Sequence, residues 1–275
     1  MFISPFRTFA WRLGRKLYCW ARGDLTNDPE TNGEYWLLGE VVKGSSAPLV
    51  LFDVGSNKGE WTLRALSSAQ RTGKQAAIGA FEPCAATRSI LEARVAGNAN
   101  VEVYAAALSS ADGEAEFFSS GAGAGTNSLN AVSGTVAERV QLVAFDSFAR
   151  AHGIQHVSML KIDTEGYDFG VLQGARQMLI DGAIDVLQFE YNWRWLLNKA
   201  SLLDVFTLIQ DMPYRFGKLN GDSIEFHEKW HFELDRFFEN NYVLVLKGSE
   251  LERLGKAVRF DSSNCVEAAS GIDWR

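Results

Sequence analysis

Residues 48–54 read PLVLFDV, an unbroken apolar block that closes on Asp53. Such a block is the mark of a strand buried on both faces of a parallel sheet. Gly55 to Gly59 then reads as a turn, and a helix begins over Glu60 to Ser68. The succession repeats. AAIGAF (76–81) predicts a second strand closed by Glu82 and Pro83, residues 85–96 a helix, and residues 101–106 a third strand. Strands alternating with helices of this length predict a parallel sheet with right-handed crossovers, whose ligands sit beyond the carboxyl ends of the strands.

From Glu114 the texture changes. EAEFF reads as a strand, SSGAGAGTNSLNAVSG as a loop of Gly, Ser and Asn, and ERVQLVAF (138–145) as an alternating strand. This predicts an inserted hairpin or flap over the site, about 114–145. The first pattern resumes with a strand over 157–162, a helix over 168–180, a strand over 184–189, a helix over 193–211 and terminal strand material over 223–247. Ahead of the first strand lie a basic aromatic segment, a polar loop over 24–33 and a helix over 34–42. The predicted fold is α/β and Rossmann-like: a mostly parallel, doubly wound sheet with helices on both faces. The predicted division is an N-terminal pair of helices (1–46), the main domain (47–250) and a C-terminal tail (251–275).

Composition narrows the picture. A chain of 275 residues, 47% hydrophobic, can bury one substantial core. Cys19, Cys84 and Cys265 are scattered and form no CxxC pair, so neither a disulfide framework nor a zinc ribbon is indicated. The net charge is −7, yet residues 1–23 carry Arg7, Arg12, Arg15, Lys16 and Arg22 and no acid. With Phe6, Phe9, Trp11, Leu13, Leu17 and Trp20 among these cations, residues 1–22 fit a helix resting on an anionic membrane surface. The plainer reading is a helix packed on the protein body, since aromatic stripes are more often core. With no apolar run of about 18 residues and no leader-like h-region, a cytoplasmic protein is expected.

The most informative stretch is FDVGSNKGEW. Glycines at 55 and 59 let the backbone turn beneath a ligand, and the following helix N-terminus offers free amides. A pyrophosphate-binding turn would need G-x-G-x-x-G, but Asn57 occupies the middle glycine position, so a nicotinamide dinucleotide is not expected. Asp53 at the strand end suits an amine-bearing ligand. Glu82 ends the second strand, where a doubly wound fold places an acid on a ribose.

Together with AFEP, KIDTEGYDFGVLQGA and QFEYN, this stretch resembles the FkbM family of S-adenosylmethionine-dependent methyltransferases. The resemblance runs in order from Leu49 to Tyr191. Ser56 stands where alanine is common and Asp168 where glutamate is usual. It implies a class I methyltransferase fold with S-adenosylmethionine over Gly55, Ser56, Asn57 and Gly59. Glu82 beside Pro83 would face its ribose, and Ala107 and Leu108 its adenine; Asp53, read above as suited to its amino group, could instead orient the helix that follows. It also implies O-methylation of a small-molecule or glycan acceptor.

Methyl transfer from a sulfonium is an in-line displacement with an activated leaving group, so placement of the acceptor supplies most of the acceleration. A base is needed to remove the hydroxyl proton. Asp163, Glu165 and Glu190, at adjacent strand ends, are the candidates. Asp163 and Glu165 could instead cap a helix or hold the turn at Gly166. The three acids could also bind a divalent cation across a sugar diol, although no DxDxDG loop accompanies them. No metal ligand set is assigned: His152, His156, His227 and His231 lie outside the blocks, and His227 with His231 would need helical context to count. Tyr191, Trp193, Trp195 and Trp230 could line an acceptor pocket or be core. A catalytically idle Rossmann-like binding or partner domain is the alternative function. A nucleic-acid substrate is not expected, because the body is acidic and no NPPY or DPPY tetrapeptide is present.

Overall fold

The unbroken apolar blocks become the middle of a sheet. In the computed structural model, residues 4–24, 27–45, 48–119, 121, 129 and 136–269 are described. Helices α1 (Pro5–Ala21) and α2 (Glu34–Gly44) precede β1 (Leu49–Val54), α3 (Glu60–Arg71), β2 (Ala76–Phe81), α4 (Ala85–Val95) and β3 (Val101–Tyr104). Next come β4 (Ala106–Ser109), β5 (Gly113–Ser119), β6 (Val136–Ala144) and α5 (Phe145–Ala151). The alternation resumes with β7 (Met159–Ile162), α6 (Asp168–Gly174), α7 (Arg176–Ile180) and β8 (Val186–Tyr191). A 3₁₀ turn (Trp193–Asn198) and α8 (Leu202–Ile209) lead to β9 (Tyr214–Leu219), β10 (Ile224–His227) and β11 (Asn240–Leu246). Another 3₁₀ turn (Glu250–Leu254) precedes β12 (Gly255–Phe260) and β13 (Val266–Ala268).

Ten strands form one sheet in the order β13-β12-β10-β9-β11-β8-β7-β1-β2-β3. The run β3-β2-β1-β7-β8 is parallel throughout, and β11 then enters antiparallel to both β8 and β9. The chain winds outward from β1 through β2 to β3, then returns to β1's other side as β7. That reversal is the switch point at which doubly wound sheets open a crevice. The fold is thus the Rossmann-like α/β arrangement expected from the sequence. Side chains of β1 alternate between two layers: Leu49 and Leu51 pack with Leu37, Val41, Trp61 and Ala65 of α2 and α3, whereas Phe52 and Val54 join Phe145, Phe148 and Leu172.

Several boundaries differ from the sequence expectation for identifiable reasons. The helix expected over 168–180 divides at Ala175, whose φ of −100° and ψ of 12° leave the helical range, next to Gly174, where a Cβ would lie 2.0 Å from the Ser109 carbonyl of β4. The helix expected over 193–211 divides at Lys199, whose φ of 53° is left-handed, and restarts at Ser201, which forms a capping box with Asp204. The hairpin expected at 114–145 is present as β5 and β6, antiparallel, with β4 added on the far side of β6. Most of its connecting loop, the core of the expected flap, lies outside the described residues. Strand β9 had no sequence counterpart, because Arg215 and Lys218 interrupt its apolar run. Residues 251–269, expected as tail, supply β12 and β13 to the sheet.

Helix α1 is capped by Ser4, whose hydroxyl accepts from the Arg7 amide at 3.2 Å, and starts on Pro5. No residue of it is buried, so its aromatic stripe is not part of the core. The helix is held at its C-terminal end. The Tyr18 hydroxyl donates to Glu233, Arg22 donates to the Glu233 carbonyl at 2.5 Å, and Lys218 Nζ donates to the Arg22 carbonyl at 2.8 Å.

Candidate functional site

The turn after β1 can be made only by small, left-handed residues. Gly55, Asn57 and Gly59 have φ of 76°, 48° and 81°. A Cβ on Gly55 would sit 1.9 Å from the Asp163 carbonyl oxygen, and one on Gly59 would sit 2.4 Å from Leu91. The Gly55 and Ser56 amides both donate to the Phe81 carbonyl, at 3.1 and 3.0 Å, which ties the turn to the end of β2. That junction fixes Glu82. Its Oε2 accepts from the Asn57 amide at 3.0 Å and its Oε1 from the Cys84 amide at 2.9 Å. Burial nevertheless pushes the Glu82 carboxyl up to about 7, against the pull of those two amides.

A cleft opens at this switch point, between the ends of β1, β2 and β7. Of the residues named from the sequence, Gly55, Asn57, Glu82, Pro83, Ala107, Leu108, Asp163 and Glu165 line it. Asp53, Ser56, Gly59 and Glu190 do not. Asp53, expected to face a ligand amine, is fully buried: its Oδ2 accepts from Thr62 at 2.7 Å and its Oδ1 lies 3.3 Å from Lys161 Nζ. Ser56 turns inward, its hydroxyl donating to the Asp53 carbonyl at 2.7 Å. Gly59 is pressed against α4 through Leu91. The expectation that three carboxylates face one pocket is therefore corrected to two.

The acids differ in surroundings. Asp163 is the most open of the three, with 37% of its side chain exposed, and Lys161 Nζ donates to its Oδ2 at 3.4 Å. Glu165, in left-handed backbone at φ 56°, pairs with Arg194 at 2.9 Å. Burial, then the Asp163 charge, raises its carboxyl to about 8. Glu190 is buried behind the wall, where its Oε2 accepts from Asn192 at 2.7 Å. Burial and the neighbouring charges of Asp163, Glu239, Glu165 and Asp168 hold it well above the ordinary carboxyl range. Asp168 knits the turn together, accepting from Thr164 at 3.0 Å, from the Gly166 amide at 3.3 Å and from the Glu190 amide at 3.3 Å. Burial, then Asp163, raises it to about 7.

Sequence reasoning missed the cation that organises this wall. Parallel register sets Asp53 opposite Lys161 and Lys161 opposite Gln188, which places three polar side chains in one row across β1, β7 and β8. Gln188 Nε2 donates to Glu34 at 3.0 Å, at the start of α2. Burial alone would lower the Lys161 pKa, but Asp53, Asp163 and Glu34 outweigh it and hold the ammonium charged. Burial lifts Glu34 to about 7. The only sequence signal was a lysine inside an apolar strand, MLKI.

The remaining candidates separate from the cleft. Tyr191 and Trp195 are fully buried in the core, while Trp193 and Trp230 are exposed and do not line the cleft. His227 ends strand β10 rather than a helix turn, and burial lowers its pKa to about 3. His231 stacks on Phe260 at 4.2 Å. Among the described residues no group of three His, Cys, Asp or Glu side chains is arranged to hold a metal ion.

The sequence profile described as the methyltransferase FkbM domain matches residues 53–216, more than half of the chain. The chain belongs to the FkbM methyltransferase family. Comparison with curated proteins returns no match. Among solved structures it is similar to methyltransferase FkbM from Methylobacillus flagellatus KT, with 14% identity and a TM-score of 0.46. That match covers 86% of this chain and 60% of the other, so this chain spans under two thirds of that protein's length. It is also similar to precorrin-6y C5,15-methyltransferase from Geobacter metallireducens GS-15 (9% identity, TM-score 0.40, covering 78% and 88%). An rRNA methylase from Streptococcus thermophilus is similar at 11% identity and a TM-score of 0.40, covering 78% and 93%. None of these likenesses bears on the acceptor.

The cofactor of the FkbM family, S-adenosylmethionine, fits the residues present. Glu82 uses one acceptor site per oxygen on backbone amides, and an ionised carboxylate has about four, which leaves sites for two ribose hydroxyls. The Asn57 side-chain oxygen is buried at the cleft wall without a hydrogen-bond partner among the described residues. Ala107, Leu108, Phe117 and Leu129 supply an apolar bed suited to a purine. The missing Cβ of Gly55 leaves the turn close enough to β7 to join the Glu82 side of the cleft to Asp163.

Proposed function

We propose that the protein transfers the methyl group of S-adenosylmethionine to a hydroxyl oxygen of a sugar, glycan or secondary metabolite. The observation carrying this reading is the pairing, in one cleft, of the amide-held Glu82 with the solvent-accessible carboxylate of Asp163. Bound S-adenosylmethionine supplies a methyl group on a positively charged sulfur, already activated for displacement. Glu82 and Asn57 would hold the ribose end of that cofactor and fix it along the cleft. Asp163 would accept a hydrogen bond from the acceptor hydroxyl, orient its lone pair and receive its proton as the new bond forms. Lys161, 3.4 Å away, holds Asp163 in one orientation. Glu165, raised to about 8, carries its proton near neutrality and is the poorer base. An acceptor of the glycan or metabolite class reaches this carboxylate without base flipping or a basic groove, which favours it over a nucleic acid.

The test uses S-adenosylmethionine with an isotopically labelled methyl group. Purified protein is incubated with fractionated glycans and metabolites, and labelled products are identified by mass spectrometry. The expected outcome is an acid-stable methyl ether whose formation needs both Glu82 and Asp163. Calorimetry that detects no binding of S-adenosylmethionine or its demethylated product would favour an idle binding domain.

A further inference from the structure

The N-terminal helix presents a surface that the methyl-transfer chemistry does not use. Along α1 the residues Phe6, Phe9, Leu13, Leu17 and Trp20 recur at intervals of three and four, so they form one stripe on a helix of 3.6 residues per turn. They are exposed, Phe6 by 78% and Trp20 by 79%. The helix is held through a different face, where Tyr18 and Arg22 meet Glu233 and Arg15 stacks on Phe238 at 5.1 Å. The stripe therefore has no partner among the described residues. On a helical wheel Arg12 and Lys16 border it on one side, and Arg7 lies beyond it on the other.

The docking of α1 also places its C-terminal half relative to the cleft. Glu233 and Phe238 lie on the segment that enters β11, and Asn240 at its start pairs with Tyr191 at the carboxyl end of β8. The helix is thus attached at the end of the sheet at which the parallel strands finish and the cleft opens. The same end of the sheet exposes Trp193, Leu196 and Leu197 on the 3₁₀ turn whose Arg194 pairs with Glu165 at the cleft wall.

We propose that α1 is an interfacial helix that lies on an anionic lipid bilayer surface and brings the cleft edge of the protein to that surface. An aromatic and aliphatic stripe bordered by cations is the pattern that buries its apolar face at the headgroup boundary while its charges meet acidic lipid. No helix among the described residues is long and apolar enough to cross a membrane, so the helix lies on the bilayer and does not span it. A second copy of the chain fits less well: five cations and no acid in residues 1–23 would set like charges against each other. Nucleic acid also fits less well, since the exposed stripe itself offers no donor to a phosphate.

The experiment is co-sedimentation of the full chain with phosphatidylcholine vesicles, with and without phosphatidylglycerol. Binding to the phosphatidylglycerol vesicles should be stronger by about tenfold or more and should collapse as salt shortens the Debye length from about 10 Å at 0.1 M to about 3 Å at 1 M. In the wild-type chain brominated lipid should quench tryptophan emission, and Trp20→Phe should keep the binding but lose much of that quenching. Phe9→Ser with Trp20→Ser should abolish binding, and Arg12→Glu with Lys16→Glu should abolish the preference for phosphatidylglycerol, both leaving the affinity for S-adenosylmethionine unchanged. Wild-type protein that stays in the supernatant with acidic vesicles overturns the proposal. So does a dimer that Trp20→Ser dissociates, or retention on RNA of equal strength that the serine variants leave intact. None of these results depends on whether methyl transfer has been detected.

Discussion

At Glu82 the wall of the cleft is made by backbone amides; across from it, at Asp163, it is made by side-chain charges. The Glu82 carboxylate is placed by the Asn57 and Cys84 amides, and the Asn57 amide by a glycine turn that leaves no room for a Cβ. Asp163 is placed by the end of β7 and by a buried lysine shared with Asp53. A backbone-built wall tolerates exchange of many side chains around it but not of its glycines. A charge-built wall tolerates backbone variation but not the loss of one ion. The first suits a cofactor whose shape never varies, the second a reaction whose charge does.

The sharpest way to break the contrast is Asp163→Asn, which keeps the shape and cannot take a proton. Turnover should fall by about 10²- to 10⁴-fold, while calorimetric affinity for S-adenosylmethionine hardly moves. Near-normal turnover would shift the base to Glu165 or Glu190 and erase the division of labour. Next in size is Lys161→Met. It strands Asp53 and Asp163 without their cation, and losing one member of a buried pair costs about 3–5 kcal/mol. Urea unfolding should show that loss, and an unchanged midpoint would mean the row is not held by charge.

A smaller effect is expected at the opposite wall. Hydrogen bonds to a charged group are worth about 1.5–3 kcal/mol, so Glu82→Gln should weaken S-adenosylmethionine binding by roughly 10- to 100-fold. Because burial sets Glu82 at about 7, wild-type affinity should decline as pH falls below neutrality and its best acceptor form is lost. The Gln variant should give a flat profile, and a matching decline in both would place the titrating group elsewhere. The smallest effect is on stability. Glu34, Glu82, Glu165 and Asp168 are raised from 4.5, 4.5, 4.5 and 3.8 to about 7, 7, 8 and 7. The folded state therefore binds protons that the unfolded state has released between roughly pH 4 and pH 8, and stability falls as pH rises across that window. Calorimetric Tm should be a few degrees higher at pH 6 than at pH 8, and the reverse order would show that the buried acids are not strained by ionisation.

The same contrast explains what could be read from the sequence. Gly55, Asn57 and Glu82 were legible because the turn is local: strand end, glycine spacing and acid lie within one βαβ unit. Asp163 and Glu165 were legible as strand-end acids, but their unlike environments were not, because these depend on Lys161, Arg194 and Asp168 meeting in space. Asp53 misled for the same reason. An acid at a strand end looks available until a lysine more than a hundred positions away is seen to claim it. Among the fold elements the parallel strands announced themselves by unbroken apolar runs, whereas β9, with Arg215 and the buried Lys218, did not. Lys218 is kept in that strand by Asp24, 2.5 Å away and from the far end of the chain, which no local pattern records.

The row of Asp53, Lys161 and Gln188 also bears on how such a chain can drift. Any one of these residues changed alone leaves a buried group mismatched against two neighbours, so single steps are closed and only paired replacements stay viable. Positions 53 and 161 should therefore change together among related sequences, with 34 and 188 following them. A library randomised at all four positions and selected for folding should return linked combinations, while the exposed stripe of α1 varies independently of them.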